Sequence, residues 1–218
     1  MQSIVFESHH VISGDRVSAS LHAFLRSRQS IRRFLQEPIS EAVLDRVLET
    51  ATWAPSAHNR QPWRFLIVTE PTRKMTVACA MGNRLRAARL ADGDESGAVD
   101  ADVERSKARI LEAPVCIFVF MSLEDMDKYP DAKRRAAEHS MAVQSTAMAA
   151  QNLLLGAHAE GLGACVMCAP LFCPDVVSDA LGVPDTWQAQ MLLVLGKPAA
   201  IRERKGRRPL SSVVGGCS

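Results

Sequence analysis

The sequence predicts an α/β or α+β sandwich in which helices cover both faces of a central sheet. Four apolar runs of strand type, at residues 64–69, 114–120, 164–167 and 188–196, alternate with segments of helical character. Such alternation is typical of layered folds. It does not show whether the strands are parallel. With 218 residues and 47% hydrophobic side chains, the chain is large enough for one domain with a sizeable core.

The segment at residues 140–174 is predicted to organise the chain. No residue in 141–159 carries a charge if histidine is neutral. Its largest polar side chains recur every seven residues and share a narrow stripe: Gln144, Gln151 and His158. A helix that is otherwise apolar all round is buried in a core or between subunits. Gly161 and Gly163 are expected to end this helix, and the loop at 168–174 is a place where a ligand could bind.

The other elements follow from apolar periodicity and capping residues. Residues 1–16 are interpreted as a leader that precedes a single domain at 17–218. The first helix is predicted over 17–26, the second follows a cap at Ser40, and the third covers 72–90.

An acidic, glycine-containing segment at 91–103 is interpreted as a mobile loop or lid, within an insertion near 84–107. The chain is expected to return to helix at 104–112. A short helix is predicted to begin at Pro174 and to end at Gly182.

Bulk properties exclude several function classes. A net charge of +2 makes no whole-chain case for nucleic-acid binding. The N-terminus lacks a secretory signal pattern, and no apolar run reaches the length of a membrane span. We therefore expect a cytoplasmic protein that binds neither nucleic acid nor membranes.

The cysteines do not form a recognisable metal motif. Cys165 and Cys168 are spaced as C-x-x-C, but no second such pair and no paired histidines accompany them. Packing as small hydrophobic side chains is the favoured interpretation, with redox or zinc chemistry as the alternative. The six cysteines of the chain are Cys79, Cys116, Cys165, Cys168, Cys173 and Cys217. No metal site is predicted.

Basic side chains cluster at both ends of the predicted domain. Four arginines and two serines fall within residues 26–33, and five basic side chains within 202–208. Guanidinium groups bind phosphate with two parallel hydrogen bonds, and serine hydroxyls add donors. An anion site is one interpretation, and a solvated basic turn is the other.

A polar loop at residues 54–63 lies between Trp53 and the first strand. It contains two prolines, His58, Asn59 and Gln61. Rigid, amide-rich loops at strand ends are suited to hydrogen-bonding a heterocycle, although an ordinary connection would look similar.

Several catalytic motifs are missing from the chain. It contains no G-x-G-x-x-G, no G-x-x-x-x-G-K-[ST], no G-x-S-x-G and no H-E-x-x-H. The remaining features suit a phosphorylated heterocycle that carries the chemistry itself.

Four blocks in order resemble the nitroreductase family of FMN-dependent oxidoreductases. They are Arg28–Phe34, Ala54–Trp63, the helix exit from Gln151 to Gly163, and Lys205–Leu210. The resemblance implies an α+β three-layer sandwich with a mostly antiparallel sheet. It also implies an intertwined homodimer with FMN at the subunit interface.

The resemblance also implies roles for individual residues. The FMN phosphate and ribityl contacts would be Arg28, Gln29, Ser30, Lys205 and Arg207. Arg32 would reach the pyrimidine edge of the ring. The second subunit would line the ring with Pro55, Ser56, Ala57 and Asn59. One ring face would pack on Met167, Cys168 and Ala169, with a backbone N–H near N5.

The family transfers hydride from NAD(P)H to flavin N5 and then to an acceptor, with no obligatory side-chain acid. The expected acceptors are nitroaromatics, quinones or enones. Within the family, the segment at 161–177 is most similar to the reductase domain attached to deazaflavin-coenzyme ligases. Reduction of a deazaflavin-type precursor, or use of a reduced deazaflavin as donor, is therefore an alternative. Flavin binding without turnover is another, and flavin-destroying relatives of the cobalamin pathway rank lower.

Overall fold

The computed structural model describes residues 14–201, 203 and 206–215. The α-helices of this part are α1 (Gly14–Ser27), α2 (Glu41–Thr52), α3 (Pro71–Ala91), α4 (Ser96–Leu111), α5 (Ala132–Ala159) and α6 (Pro174–Leu181). The strands are β1 (Trp63–Val68), β2 (Val115–Ser122), β3 (Gly163–Met167) and β4 (Trp187–Gly196). Short 3₁₀ turns cover Ala57–Asn59, Ala169–Phe172 and Leu210–Ser212.

The four strands form one antiparallel sheet in the order β1-β2-β4-β3. β2 is buried along its whole length, as its continuous apolar sequence predicts. Helices α3 and α6 cover one face, where Phe118, Phe120 and Leu192 lie in the core. Helices α2 and α5 cover the other face, over Ile117 and Leu193. The predicted α+β three-layer sandwich is confirmed, and the antiparallel direction of its strands is now established.

The predicted strands and glycine stops agree with the structure to within one or two residues. Gly161 and Gly182 both have positive φ, at 72° and 62°, which suits glycine directly after a helix. The long helix α5 begins at Ala132, well before its charge-free part, because the Asp131 carboxylate accepts a hydrogen bond from the Arg134 N–H. That bond lowers the pKa of Asp131. Part of the predicted leader lies in residues 1–13, outside the described residues.

The prediction of a loop at 91–103 is wrong, because most of this segment belongs to α4. The Glu95 carboxylate caps the helix by accepting from the Gly97 and Ala98 N–H groups, and these bonds lower the pKa of Glu95. On the inner side, Val99 and Val103 are buried. Residues 84–107 thus lie within a hairpin of α3 and α4.

Ion pairs hold the two helices of this hairpin together. Arg86 on α3 forms a bidentate pair with Asp100, with N–O distances of 2.6 and 3.1 Å. Arg89 contacts both Asp94 and Asp102. The acidic composition that indicated a loop therefore serves to pair α4 with arginines one helix earlier in the sequence.

The segment at residues 28–35, which follows α1 and is called the arginine segment below, crosses the end of the sheet where β3 begins and β4 ends. The Ile31 N–H donates to the Ala164 carbonyl at 3.0 Å, and the Leu35 N–H donates to the Lys197 carbonyl at 2.9 Å. A Cβ atom on Gly163 would lie 2.7 Å from Ile31 Cβ, and one on Gly196 would lie 2.7 Å from Phe34 Cβ. Neither position has room for a side chain.

Replacement of Gly163 by Ala is expected to destabilise the fold by about 1–3 kcal/mol, because the new methyl group overlaps a branched side chain held by the core. Chemical denaturation measures this loss as a lower midpoint. The matched control is Gly206→Ala, since a Cβ there meets nothing within 4 Å. Equal midpoints for both variants would contradict the close approach.

Candidate functional site

A cleft of about 160 Å³ lies beside the arginine segment. The end of α1 supplies its first wall, and the C-terminal turn of α5 with the start of β3 supplies the second. Its polar and charged lining includes Ser27, Arg28, Gln29 and His158, and Pro198 and Ile201 close it from the β4 side. The structure thus brings predicted residues Arg28 and Gln29 into one concave surface.

His158 and Ser27 form a polar contact at the cleft that sequence reasoning did not assign to the site. Ser27 Oγ lies 2.5 Å from His158 Nε2 and 2.7 Å from the Phe24 carbonyl oxygen. The Phe24 ring lies 4.9 Å from the imidazole. The sequence analysis placed His158 in the polar stripe of the long helix. That stripe was the one sequence feature from which its place at the cleft could have been predicted.

The rest of the first basic cluster is tied by its backbone to β3 and to the chain that leaves β4. Ser30 pairs with Ala164 through the backbone, and the Ala199 N–H donates to the Arg33 carbonyl at 3.0 Å. The chain that leaves β4 therefore passes beside the arginine segment at Ala199, before it continues towards Arg207. Arg32 and Arg207 are both exposed. Lys205 lies outside the described residues.

The loop that precedes β1 has a strained backbone. Three residues other than glycine adopt positive φ angles: His58 at 50°, Asn59 at 53° and Gln61 at 48°. Such angles are uncommon for side-chain-bearing residues and persist only where surrounding contacts impose them. Ser56 Oγ accepts from the Gln61 N–H at 3.0 Å, and the Gln61 amide donates to Asn59 Oδ1 at 3.3 Å.

Neighbouring elements of the same protomer hold this loop. The Ala57 N–H donates to Ser145 Oγ of α5 at 3.3 Å. Arg60 pairs with Asp127 of the loop after β2, and the Asp127 N–H donates to the buried Glu138 carboxylate at 3.3 Å. Predicted residues Pro55 and Asn59 remain exposed, and Ser56 and Ala57 are half-buried.

The two groups of predicted ligand residues lie at diagonal corners of the sheet. β1 and β3 are its opposite edges, about 14 Å apart at ordinary strand spacing. The loop at 54–62 adjoins Trp63, which is aligned through Met121 with Gln188 of β4. The arginine segment crosses at Gly196, eight residues or about 26 Å farther along β4. A single protomer therefore does not bring both groups to one small ligand.

The third predicted group follows β3. Met167 is buried among core side chains of the α3 and α6 face, which leaves its backbone for any ligand contact. Cys168 is exposed and Ala169 is half-buried. The neighbouring 3₁₀ turn exposes Leu171 and Phe172.

Cys116, Cys165 and Cys173 are buried and pack as small hydrophobic side chains, whereas Cys168 is exposed. Burial raises the pKa of Cys116 to about 12 and also raises the pKa of Cys173. Cys165 and Cys173 contact backbone carbonyl oxygens at 3.5 and 3.4 Å. No cluster of three or more His, Cys, Asp or Glu residues suited to a metal occurs in this part of the chain.

One face of α5 is exposed although the helix is largely apolar. Met148 is 39% exposed, and Gln144, Ala147 and Gln151 are exposed with it. Trp53 is 80% exposed.

Among the described helices, none combines the length and hydropathy that membrane crossing requires. The cytoplasmic location remains a prediction.

Comparisons with known proteins agree with this architecture. The model of the "Nitroreductase family" matches residues 25–197. A 5,6-dimethylbenzimidazole synthase from Rhodobacter capsulatus is 33% identical over 82% of this chain and 84% of its own length. An NADH dehydrogenase from Thermus thermophilus is 30% identical, over 86% and 91%. A protein from Desulfovibrio desulfuricans, described as a nitroreductase and solved in complex with FMN, superimposes with a TM-score of 0.69 at 26% identity, over 89% and 94%.

Proposed function

Because the chain belongs to the nitroreductase family, we propose that it is an FMN-dependent oxidoreductase that takes hydride from NAD(P)H. The acceptor would be a small organic molecule such as a nitroaromatic, a quinone or an enone. One observation carries the proposal: the arginine segment is pinned across Gly163 and Gly196 at the mouth of a cleft. FMN has a dianionic phosphate, and the cleft of one protomer offers a basic and polar lining for it.

The phosphate end of FMN is assigned to the cleft of one protomer. Arg28 and Gln29 line it, and Ser30 follows at its edge. Arg207 and Lys205 would close on the phosphate from the C-terminal segment. A guanidinium fork held by packed backbone loses little freedom when it binds an anion.

The ring end requires both subunits. Arg32 would reach the pyrimidine edge, where a cation favours the negative charge that builds up on reduction. Pro55, Ser56, Ala57 and Asn59 would come from the partner protomer, because within one chain they lie at the far corner of the sheet. The backbone at Met167, Cys168 and Ala169 would contact the opposite ring face.

The same geometry and the exposed face of α5 support a homodimer. A second copy would cover Met148 and Ala147 together with Gln144 and Gln151, a mixture of apolar and polar side chains that is ordinary for an interface. The two copies would then complete two equivalent sites, as expected for a self-complementary interface.

Replacement of Met148 by Glu is expected to convert the dimer into monomers, because a charge would be buried in the proposed interface. Light scattering after size exclusion measures the molar mass of the wild type and the variant. Met75→Glu on α3 is the matched control, since Met75 is 46% exposed on a different face. A monomeric wild type that binds FMN would contradict the interfacial site.

When bound, FMN supplies the hydride chemistry at N5. The chain's own residues bind, orient and shield. Arg28 and Arg207 fix the phosphate, Arg32 supplies positive charge at the pyrimidine edge, and the strained loop limits access from one side. The nicotinamide and then the acceptor would bind at the exposed surface near Cys168. No side-chain acid is assigned, so positioning and electrostatics account for the rate.

Formation of 5,6-dimethylbenzimidazole is a second candidate. The observation that favours it is the 33% identity to the Rhodobacter capsulatus synthase over most of both chains. This synthase is one of the flavin-destroying relatives that the sequence analysis ranked below the oxidoreductases.

The visible spectrum of the FMN-reconstituted protein tests the reaction class. Anaerobic addition of NADPH or NADH is expected to bleach the flavin bands, and addition of a quinone is expected to restore them. A spectrum that neither nucleotide changes would contradict the proposed donor and would favour a deazaflavin donor or flavin binding alone. Chromatography after exposure to oxygen separates the second candidate, which requires 5,6-dimethylbenzimidazole as product.

Arg28→Ala is expected to weaken FMN binding by about 10- to 100-fold, because a charge-assisted phosphate contact worth about 1.5–3 kcal/mol is lost. Affinity for riboflavin, which lacks the phosphate, should be nearly unchanged. Arg33→Ala in the same segment is the matched control, since it removes an equal charge from a side chain to which no contact with FMN is assigned. Fluorescence titration measures all affinities. Full FMN affinity in the Arg28 variant would refute the phosphate assignment.

A further inference from the structure

Ser145 occupies an unusual position on α5. It is 1% exposed and lies among buried side chains, where a hydroxyl must find hydrogen-bond partners. Its Oγ donates to the Met141 carbonyl at 2.7 Å, as serine commonly does within a helix. The same oxygen also accepts from the Ala57 N–H at 3.3 Å, and this bond links α5 to the strained loop.

The loop depends on such contacts because its backbone is unfavourable. His58 and Asn59 both have positive φ, and two fixed amides flank them. The Ala57 N–H is held by Ser145, and the Gln61 N–H is held by Ser56 Oγ. An amide that loses its partner in a partly buried place costs the free energy of a missing hydrogen bond. The strained conformation then competes with relaxed ones.

We propose that Ser145 is a positioning residue that holds Ser56 and Asn59 in the conformation in which they contact the flavin ring. Ser145 itself touches the loop backbone and no ligand. The inference rests on the proposed function, since it assumes that the loop of one protomer meets the flavin bound by the other. It adds a second position on the long helix to the proposed site, because His158 of the same helix already lines the phosphate cleft.

Ser140 offers a matched control on the same helix. Its Oγ donates to the Ala136 carbonyl at 2.8 Å, which is the same bond to the carbonyl four residues earlier. Ser140 is exposed, and within the described part of the chain its side chain does not hydrogen-bond to the loop. Replacing Ser140 therefore removes the intrahelical bond alone, whereas replacing Ser145 removes that bond and the loop contact.

The test compares the affinities of Ser145→Ala, Ser145→Thr and Ser140→Ala for FMN and for riboflavin, in the full-length protein, by flavin fluorescence titration. Loss of one hydrogen bond is expected to weaken both flavins by the same factor, about fivefold, in Ser145→Ala. Ser145→Thr keeps the hydroxyl and should restore affinity, and Ser140→Ala should match the wild type. Visible circular dichroism of bound flavin should change only in Ser145→Ala, because only there does the ring environment shift.

Unchanged riboflavin affinity in Ser145→Ala would overturn the inference while leaving the proposed function intact. A loss for FMN alone would also overturn it, because the effect would then lie at the phosphate. If Ser145→Ala does not fold, the pair Ser145→Thr and Ser145→Val, which differ in the hydroxyl but not in shape, replaces it with the same expected difference. A wild type that binds neither flavin would overturn both the inference and the proposed function.

Discussion

The close approach of the arginine segment to the sheet at Gly163 and Gly196 is the contact on which the proposed site depends. Two glycines let Ile31 and Phe34 rest directly on the strand ends, and backbone hydrogen bonds on either side fix the segment between them. The guanidinium groups then project from a backbone that cannot easily move. Preorganisation of this kind reduces the conformational entropy that a flexible basic turn would lose on binding a phosphate.

In the proposed site, this anchored segment forms one half. The antiparallel order of the strands puts the strained loop at the opposite corner, and no rearrangement of loops crosses a distance comparable to the sheet itself. In the proposed dimer, a second protomer would bring the two groups together without deforming either corner. The exposed face of α5, where Met148 and Ala147 lie beside Gln144 and Gln151, is the surface that such a partner would cover. The proposed dimer and the proposed ligand site therefore both depend on the strand order of the sheet.

The sequence predicted the layers better than the contacts between them. Strands and glycine stops were found because burial and positive φ restrict residue choice locally. The segment at 91–103 was misassigned because its acidic side chains are paired by Arg86 and Arg89, which lie in a different helix. Strand direction was not predictable without the family resemblance, since alternating elements suit both arrangements. The contacts of His158 and Ser145 depend on tertiary packing, so a helical pattern alone could not assign them.

Helix α5 connects the strained loop of each protomer to its cleft. Ser145 contacts the strained loop near the middle of the helix, and His158 lines the cleft near its end. Thirteen residues separate them, which is about 20 Å of helix. A helix packed on the sheet through Leu153, Ala157 and their neighbours transmits position with little bending. In a dimer joined along the exposed face of α5, each copy of this helix would contribute to both sites. The spacing between the phosphate end and the ring end would then be set by a single rigid element and its symmetry mate.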